Sequence, residues 1–407
     1  MDNLTHSLLG AALAQAARPP GAAPAQQRLF MAAGVVSANL PDIDLLYVGI
    51  TPEPLGYLLH HRGHTHTFVG VAAQAVLLAA VWAAAPWMRR AVGPARLRIG
   101  ALVAVGLLSH IPLDATNSYG VHPFHPFETR WYYGDAVFIL EPWLWLALGI
   151  PVAWSAGRTA TRVALLATMG VLLAVMAAVG VVVPSTAAAV AAGAALIAVA
   201  TRPLGVAART AAALGAGAAL VAAQFALSAR ADTRARAELR ARAPGEIVDV
   251  VRNPNPADPL CWMVIAIEKR EAAGEFVLHA GTLSLAPRLR PPAACASHRF
   301  TGGAAASPGA YAAWGPPRHQ PLGTLRALAR EDCWVRAWLQ FGRAPAFEDG
   351  AIVDLRFAPG ARGNFTALPL HERRAREGCP GNLTSWALPR ADLLEGAPAG
   401  EPASARR

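Results

Sequence analysis

The sequence predicts an α-helical integral membrane bundle of about six to eight helices, followed by a smaller β-rich soluble domain. Three observations carry that expectation. Of the 407 residues 54% are hydrophobic and only 15% are charged, and the mean hydropathy is +0.33. Soluble chains carry roughly 25% charged residues. Six runs, Thr67–Met88, Leu97–Ala115, Ala136–Ala156, Arg162–Val183, Thr186–Ala200 and Ala208–Ser228, are apolar enough to span. They approach the ~20 residues that cross a bilayer. From about Ala229 the runs give way to apolar–polar alternation between turn signals, the mark of strands.

Two weaker helices come first, near Ser7–Ala17 and Arg28–Leu40. At ~1.5 Å per residue neither crosses the ~30 Å core, so they read as half-spans or as helices buried in the bundle. Threading the helices in alternation gathers His6, Asp42, Asp44, His60–His66, His110, Asp114 and Asp135–Glu141 at one membrane face. Arg18, Arg28, Arg89, Arg90, Arg96, Arg98, Arg158, Arg162, Arg202 and Arg209 fall at the other. The positive-inside rule makes that second face cytoplasmic and turns the His/Asp face outward. Arg230, Arg234, Arg236, Arg240 and Arg242 stand against this layout, because they follow the last run. The start of the chain lacks the basic stretch of a cleavable signal peptide, so targeting is expected from the spans themselves.

The chain divides into a membrane-embedded site region (1–146), scaffold helices (147–228), a β-rich soluble domain (229–388) and a disordered tail (389–407). AIVDLRFAPGARGNFTAL reads as a hairpin. All four cysteines, Cys261, Cys295, Cys333 and Cys379, lie in the soluble part and match no zinc ribbon. In an outward-facing domain they suggest disulfides, with connectivity open; otherwise they are buried thiols. The net charge of +10 is scattered in ones and twos, without the aromatic-laced basic stripe of a nucleic-acid binder. The expected partners are membrane lipids and a small-molecule or lipid-like substrate.

Chemistry concentrates before residue 146. In LPDIDLL, Pro41 stops a helix and places Asp42 and Asp44 in an extended turn, where alternation sends both carboxylates the same way. Two carboxylates facing one point need a cation or proton between them. His110 and Asp114 are four apart and share a helix face, though Pro112 threatens that helix. In HHRGHTHT, Gly63 allows several imidazoles to converge. Imidazole and carboxylate together suit a divalent metal, zinc or manganese, as one ion or two. A solvated helix end is the plain alternative for the acids, and a packing role for His122 and His125. No Asp, Glu or His follows Glu141 in the membrane part, so the later helices read as scaffold.

With these residues in place, the chain resembles the YdjM-like membrane-bound metal-dependent hydrolases, inner-membrane proteins of bacteria and archaea. MDNLTHSLLG, LPDIDLL, HRGHTHT, SHIPLDATNSYG and WYYGDAVFILEPWLW carry the resemblance, in that order, over residues 1 to about 146. It implies a metal site from His6, Asp42, Asp44, His61, His66, His110 and Asp114. It further implies Arg62, Asp114 and Asp135 in catalysis, with Asn117 and Tyr119 as neighbours. Thr67 stands where the family pattern leads one to expect serine, and Glu141 where it suggests aspartate; both keep the chemistry.

The leading functional expectation is a membrane-bound metal-dependent hydrolase, in which metal-activated water attacks a phosphoryl or acyl centre. Arg62, between the histidines, suits an anionic or lipid-like substrate held bidentately. HExxH, GxSxG and Walker patterns are absent from the sequence. The alternatives are a metal-binding transporter or permease, and a non-catalytic structural or sensory membrane protein.

Overall fold

The computed structural model describes residues 1–295, 307–370 and 378–395. Its first ten α-helices are α1 (Asn3–Ala17), α2 (Pro24–Asn39), α3 (Leu55–His60), α4 (Phe68–Ala84), α5 (Pro86–Val92), α6 (Arg96–Ala115), α7 (Pro142–Trp154), α8 (Thr159–Ala178), α9 (Pro184–Thr201) and α10 (Val206–Leu239). The chain forms two compact units. The first is Met1–Tyr47, His61–Arg230 and Asn253–Trp262; the second is Val48–His60, Ala231–Arg252 and Met263–Arg407. Among the described residues five segments are long and apolar enough to cross a membrane: Pro24–Ile50, Pro86–Ala115, Thr159–Ala178, Pro184–Thr201 and Val206–Leu239. A sixth arises if Leu55–His66 and Phe68–Ala84 count as one broken span.

Several boundaries differ from the sequence expectation, each for a local reason. The segment that starts at Pro24 is no half-span, because 3-10 turns at Leu40–Leu46 and Val48–Ile50 carry it to 27 residues. The run from Thr67 breaks at Ala85, where Pro86 opens α5. The expected span Ala136–Ala156 is a helix of 13 residues, since Glu141 ends the preceding loop by capping α7 through the Trp143 amide at 3.2 Å. α10 runs past Ser228 to Leu239. In the second unit Asp232 on its extension takes Arg236 at 3.0 Å and Arg252 at 2.6 Å. Arg234 lies over the Tyr311 ring. Arg234 and Arg236, two of the five that follow the last run, thus serve local pairing.

In the first unit, small residues set helix spacing. A Cβ on Gly10 or on Gly34 would run into the other's carbonyl oxygen, so α1 and α2 meet backbone to backbone. Gly106 of α6 leaves room for the Ser37 side chain of α2, whose hydroxyl a Cβ there would strike. These contacts bring the His6, Asp42 and His110 elements together. Asp2 caps α1, accepting from the Thr5 amide at 3.0 Å, and Thr67 caps α4, accepting from the Gly70 amide at 2.8 Å. Trp145, Leu148, Met169 and Val190 form an apolar core among the later helices.

The strands are β1 (Glu246–Asn255), β2 (Asp258–Arg270), β3 (Glu275–Ser284), β4 (Ser307–Pro308), β5 (Ala312–Trp314), β6 (Arg318–Pro321), β7 (Pro345–Glu348), β8 (Ala351–Asp354) and β9 (Leu368–Pro369). The larger sheet runs β1-β2-β3-β5-β4, with β6 also paired to β3; the smaller runs β7-β8-β9. The expected hairpin appears as antiparallel β8 and β9, with Ile352 opposite Leu368 and a wide connection between. Helices α11 (Leu322–Glu331), α12 (Cys333–Trp338) and α13 (Ala391–Leu394) complete the second unit. Cys333 and Cys379 form a disulfide, and Cys261 and Cys295 are also disulfide-bonded, so no cysteine is free. The tail expected to be irregular from Pro389 instead forms α13 and buries Leu393; residues 396–407 lie outside the described residues.

The second unit also holds Val48–His60. Asn382 donates to the Ile50 carbonyl at 3.0 Å, and Trp386 Nε1 to the Leu59 carbonyl at 2.8 Å. Thr51 lies 2.8 Å from His60 Nε2.

Candidate metal centre

Asp42 and Asp44 sit in a 3-10 turn, not in the extended turn the sequence suggests. Their carboxylates nevertheless converge, within 4.8 Å of each other and of His61. They bracket one imidazole: Asp44 Oδ2 is 3.1 Å from His66 Nδ1, and Asp42 Oδ1 is 3.4 Å from His66 Nε2. α6 continues through Pro112, and His110 and Asp114 keep a shared face, with Nε2 to Oδ2 at 3.3 Å.

Two groups of side chains are close enough to hold a cation: Asp42, His66, His110 and Asp114, and Asp42, Asp44 and His61. Asp42 belongs to both. In the first group His66 Nε2 lies 3.1 Å from His110 Nε2 and 3.1 Å from Asp114 Oδ2. His110 Nε2 lies 3.6 Å from Asp42 Oδ1. Metal bonds of about 2.1 Å in a tetrahedron set ligand atoms roughly 3.4 Å apart, which matches this spacing. His66 and His110 are wholly buried, and Asp114 is nearly so.

The outer contacts fix which nitrogens face inward. His110 Nδ1 meets the Ala38 carbonyl at 2.6 Å, and a carbonyl only accepts, so a neutral ring carries its proton there. His66 Nδ1 faces the Asp44 carboxylate. Both Nε2 atoms are then left as lone pairs, beside two carboxylates. The four inward atoms are all acceptors.

Besides His66, three donors hold Asp44: the Arg62 amide at 2.8 Å, the Thr65 hydroxyl at 2.9 Å and His61 Nδ1 at 3.1 Å. Arg62 reaches Asp44 from a left-handed backbone, φ 59°, a conformation that costs energy and needs surrounding support. Its guanidinium is buried, ion-paired to Asp114 at 3.2 Å, bonded to Asn117 Oδ1 at 2.9 Å and stacked over Tyr119. The Met1 amino group also contacts Asp114.

Not every expected residue enters the groups. His6 stacks on His110 at 3.8 Å between ring centroids and approaches Asp114 Oδ1 at 3.3 Å, but lies in neither ligand set. Asp135 is buried, with φ 50°; its carbonyl accepts from Ser228, and its carboxylate is in neither set. His60 faces Thr51. His64 packs edge-on against His125, and His122 packs on Trp131. Burial holds the His122 imidazole down at about 3, so it stays neutral.

The sequence reading missed three contributors. Asn3 donates to Asp42 Oδ2 at 2.7 Å, and its place three residues before His6 on one helix was the available signal. Thr65 donates to Asp44. Gln74, a buried amide within an apolar run, donates to the Thr65 carbonyl at 2.9 Å.

Fold and site together define a membrane protein whose helical unit buries a His/Asp cluster suited to a divalent cation. Residues 1–184 match the family model described as YdjM inner membrane protein, so the resemblance read from the sequence holds over that part of the chain. The chain is also 27% identical over 165 residues to the uncharacterized protein YfhP of Bacillus subtilis (strain 168). That match covers 39% of this chain and 47% of YfhP, so the chain spans about half the length of the curated relative it matches. No solved structure matches.

Proposed function

We propose that the protein is a multi-pass inner-membrane hydrolase that uses one or two divalent cations, zinc or manganese, on a phosphoester. One observation carries this reading: four acceptor atoms, three from the buried His66, His110 and Asp114 and one from the half-buried Asp42, face one another with no donor among the four. Burying such a set is costly unless a cation sits between them. Asp42, His66, His110 and Asp114 would hold one ion, and Asp42, Asp44 and His61 are the residues that would hold a second. A divalent cation supplies Lewis acidity and an activated water at neutral pH.

The chain's own residues prepare that chemistry. Ala38 and Asp44 fix the His110 and His66 tautomers. Asn3 aims Asp42. Arg62 holds Asp114 and Asn117, so its role here is positioning, not the bidentate capture of substrate that its sequence setting suggested. Asp135 keeps its candidacy for proton transfer from its place after the site loop.

The site is read as opening to the outer face. Disulfides persist in oxidising compartments, and all four cysteines of this chain are so bonded. Arginine placement in the short loops agrees.

Elemental analysis of detergent-purified protein, paired with a phosphoester panel, tests the reading. The expected result is a stoichiometric divalent metal and a hydrolysis that chelation removes. A metal-free active protein, or metal uptake into vesicles without turnover, would overturn it.

A further inference from the structure

A cavity of about 420 Å³ lies in the first unit, among α1, α6, α7 and α10. Its walls are almost wholly apolar: Leu9, Leu113, Leu144, Leu148, Leu214 and Val221. Thr5, Leu144, Thr116 and Gly217 are its buried floor, while Pro112, Ala218 and Ala222 are exposed and form its rim. Two of the helices that bound it, α6 and α10, belong to candidate membrane spans. A rim between two such spans faces the side of the helical unit, where a bilayer would lie.

The cavity adjoins the metal centre along the chain. Leu113 precedes Asp114, Thr5 precedes His6, and Pro112 lies between His110 and Asp114. One helix thus carries ligands on one face and cavity wall on the next. The α10 face that supplies Leu214, Gly217 and Val221 continues to Gln224. Gln224 is 1% exposed, and among the described residues neither its amide oxygen nor its amide nitrogen has a hydrogen-bond partner. A buried amide with neither bond made is costly in an apolar setting. Gln224 lies one turn beyond the cavity lining, where an ester or hydroxyl group at the polar end of an alkyl chain held in the cavity would reach it.

We infer that the cavity takes an acyl chain of a membrane lipid, and that the substrate of the metal centre is a lipid phosphate monoester. This rests on the hydrolase reading for the chemistry, but not for the binding. Its volume lies within the range of roughly 300–1,000 Å³ for small-molecule sites, enough for much of one chain and too little for a whole diacyl lipid. The second chain would remain in the bilayer. Water and inorganic ions have no reason to enter so apolar a space, and a polar metabolite would leave its hydrogen bonds unmade there.

The test uses the full chain in lipid nanodiscs and two probes. The first is phosphatidic acid with a diazirine midway along one acyl chain. Irradiation is expected to label Ser109–Thr116 and Leu214–Ala222 above all other lipid-facing segments, and excess unlabelled phosphatidic acid to suppress that label. The second is the ratio of kcat/KM for long-chain phosphatidic acid to that for water-soluble glycerol 3-phosphate. Ala218→Trp, which crowds the rim from an exposed position, is expected to lower that ratio at least tenfold. Gln224→Leu is expected to raise KM for the lipid, with label retained. Leu196→Trp, on the exposed face of α9, serves as the control that leaves the ratio unchanged. Label spread evenly over all spans, or an Ala218→Trp ratio equal to wild type, overturns the inference. Cavity labelling without hydrolysis of either probe sinks the hydrolase reading and leaves the lipid site standing. Equal hydrolysis of both probes without focused label does the reverse.

Discussion

Buried acids are treated in opposite ways in the two units. In the second, the buried Asp354 and Glu268 and the half-buried Asp249 are each matched by arginine. Asp354 pairs with Arg356 at 2.8 Å, Glu268 with Arg270 at 2.8 Å, and Asp249 with Arg343 at 2.8 Å and Arg390 at 3.2 Å. In the first, Asp42, Asp44 and Asp114 converge beside one guanidinium and one amino group, with imidazoles filling the remaining space. Acids matched one to one by arginine hold a fold together. Acids gathered with histidines and too few cations hold something else, and the missing positive charge tells what.

The comparison breaks most sharply at Asp114. Asp114→Ala, or Asp42→Ala or His66→Ala, is expected to strip bound metal and abolish hydrolysis with the fold kept, as read by elemental analysis and circular dichroism. Normal metal content in any of the three would reduce the first unit's cluster to another packing device.

On the other side, removing the covalent brace should cost stability. Cys333→Ser with Cys379→Ser opens a loop whose ends are 46 residues apart. Chain entropy alone puts the loss at about 4 kcal/mol, to be read from the second unit's thermal unfolding.

Between these lies Asp44→Asn. It keeps shape but weakens the orienting contact to His66, and a loss of roughly 10–100-fold in metal affinity is expected by competition with a chelator. No change would show that Asp44 is itself a mere structural acid of the second unit's kind.

The smallest effect concerns Asp249. Burial works to raise its carboxyl, yet Arg343 and Arg390 outweigh burial and hold it down at about 2. A depressed carboxylate stabilises the fold above its unfolded value of about 3.8, and that contribution is lost as pH falls through about 2. Arg343→Ala should cost about 2 kcal/mol at neutral pH, and should flatten the loss of stability between pH ~4 and ~2. A variant that melts like wild type at both ends of that window would refute the pairing.

Much of this was written in the sequence, and for identifiable reasons. Hydropathy marked the helices Arg96–Ala115 and Pro184–Thr201 closely, because long apolar runs leave little choice of structure in lipid. His66, His110, Asp42 and Asp114 stood out because ionisable groups are rare at membrane edges. Backbone geometry was less legible. A 3-10 turn at Leu40–Leu46 and an extended turn share the same composition, so the bracketing of His66 could not be foreseen. The split of HHRGHTHT into inward His61 and His66 and outward His64 depends on the left-handed Arg62, which no propensity forecasts. Gln224 looked like one polar residue in scaffold; only its burial without partners gives it meaning.

The grip of Asn382 and Trp386 on Ile50 and Leu59 sets an order of events in biosynthesis. Val48–His60, the stretch that joins Asp44 to His61, leaves the ribosome more than three hundred residues before the partners that fasten it. The early helices must therefore wait, inserted but with that connection unmoored, until nearly the whole chain has been translated. A truncation that spares every ligand but ends before residue 381 would leave the connection loose for good.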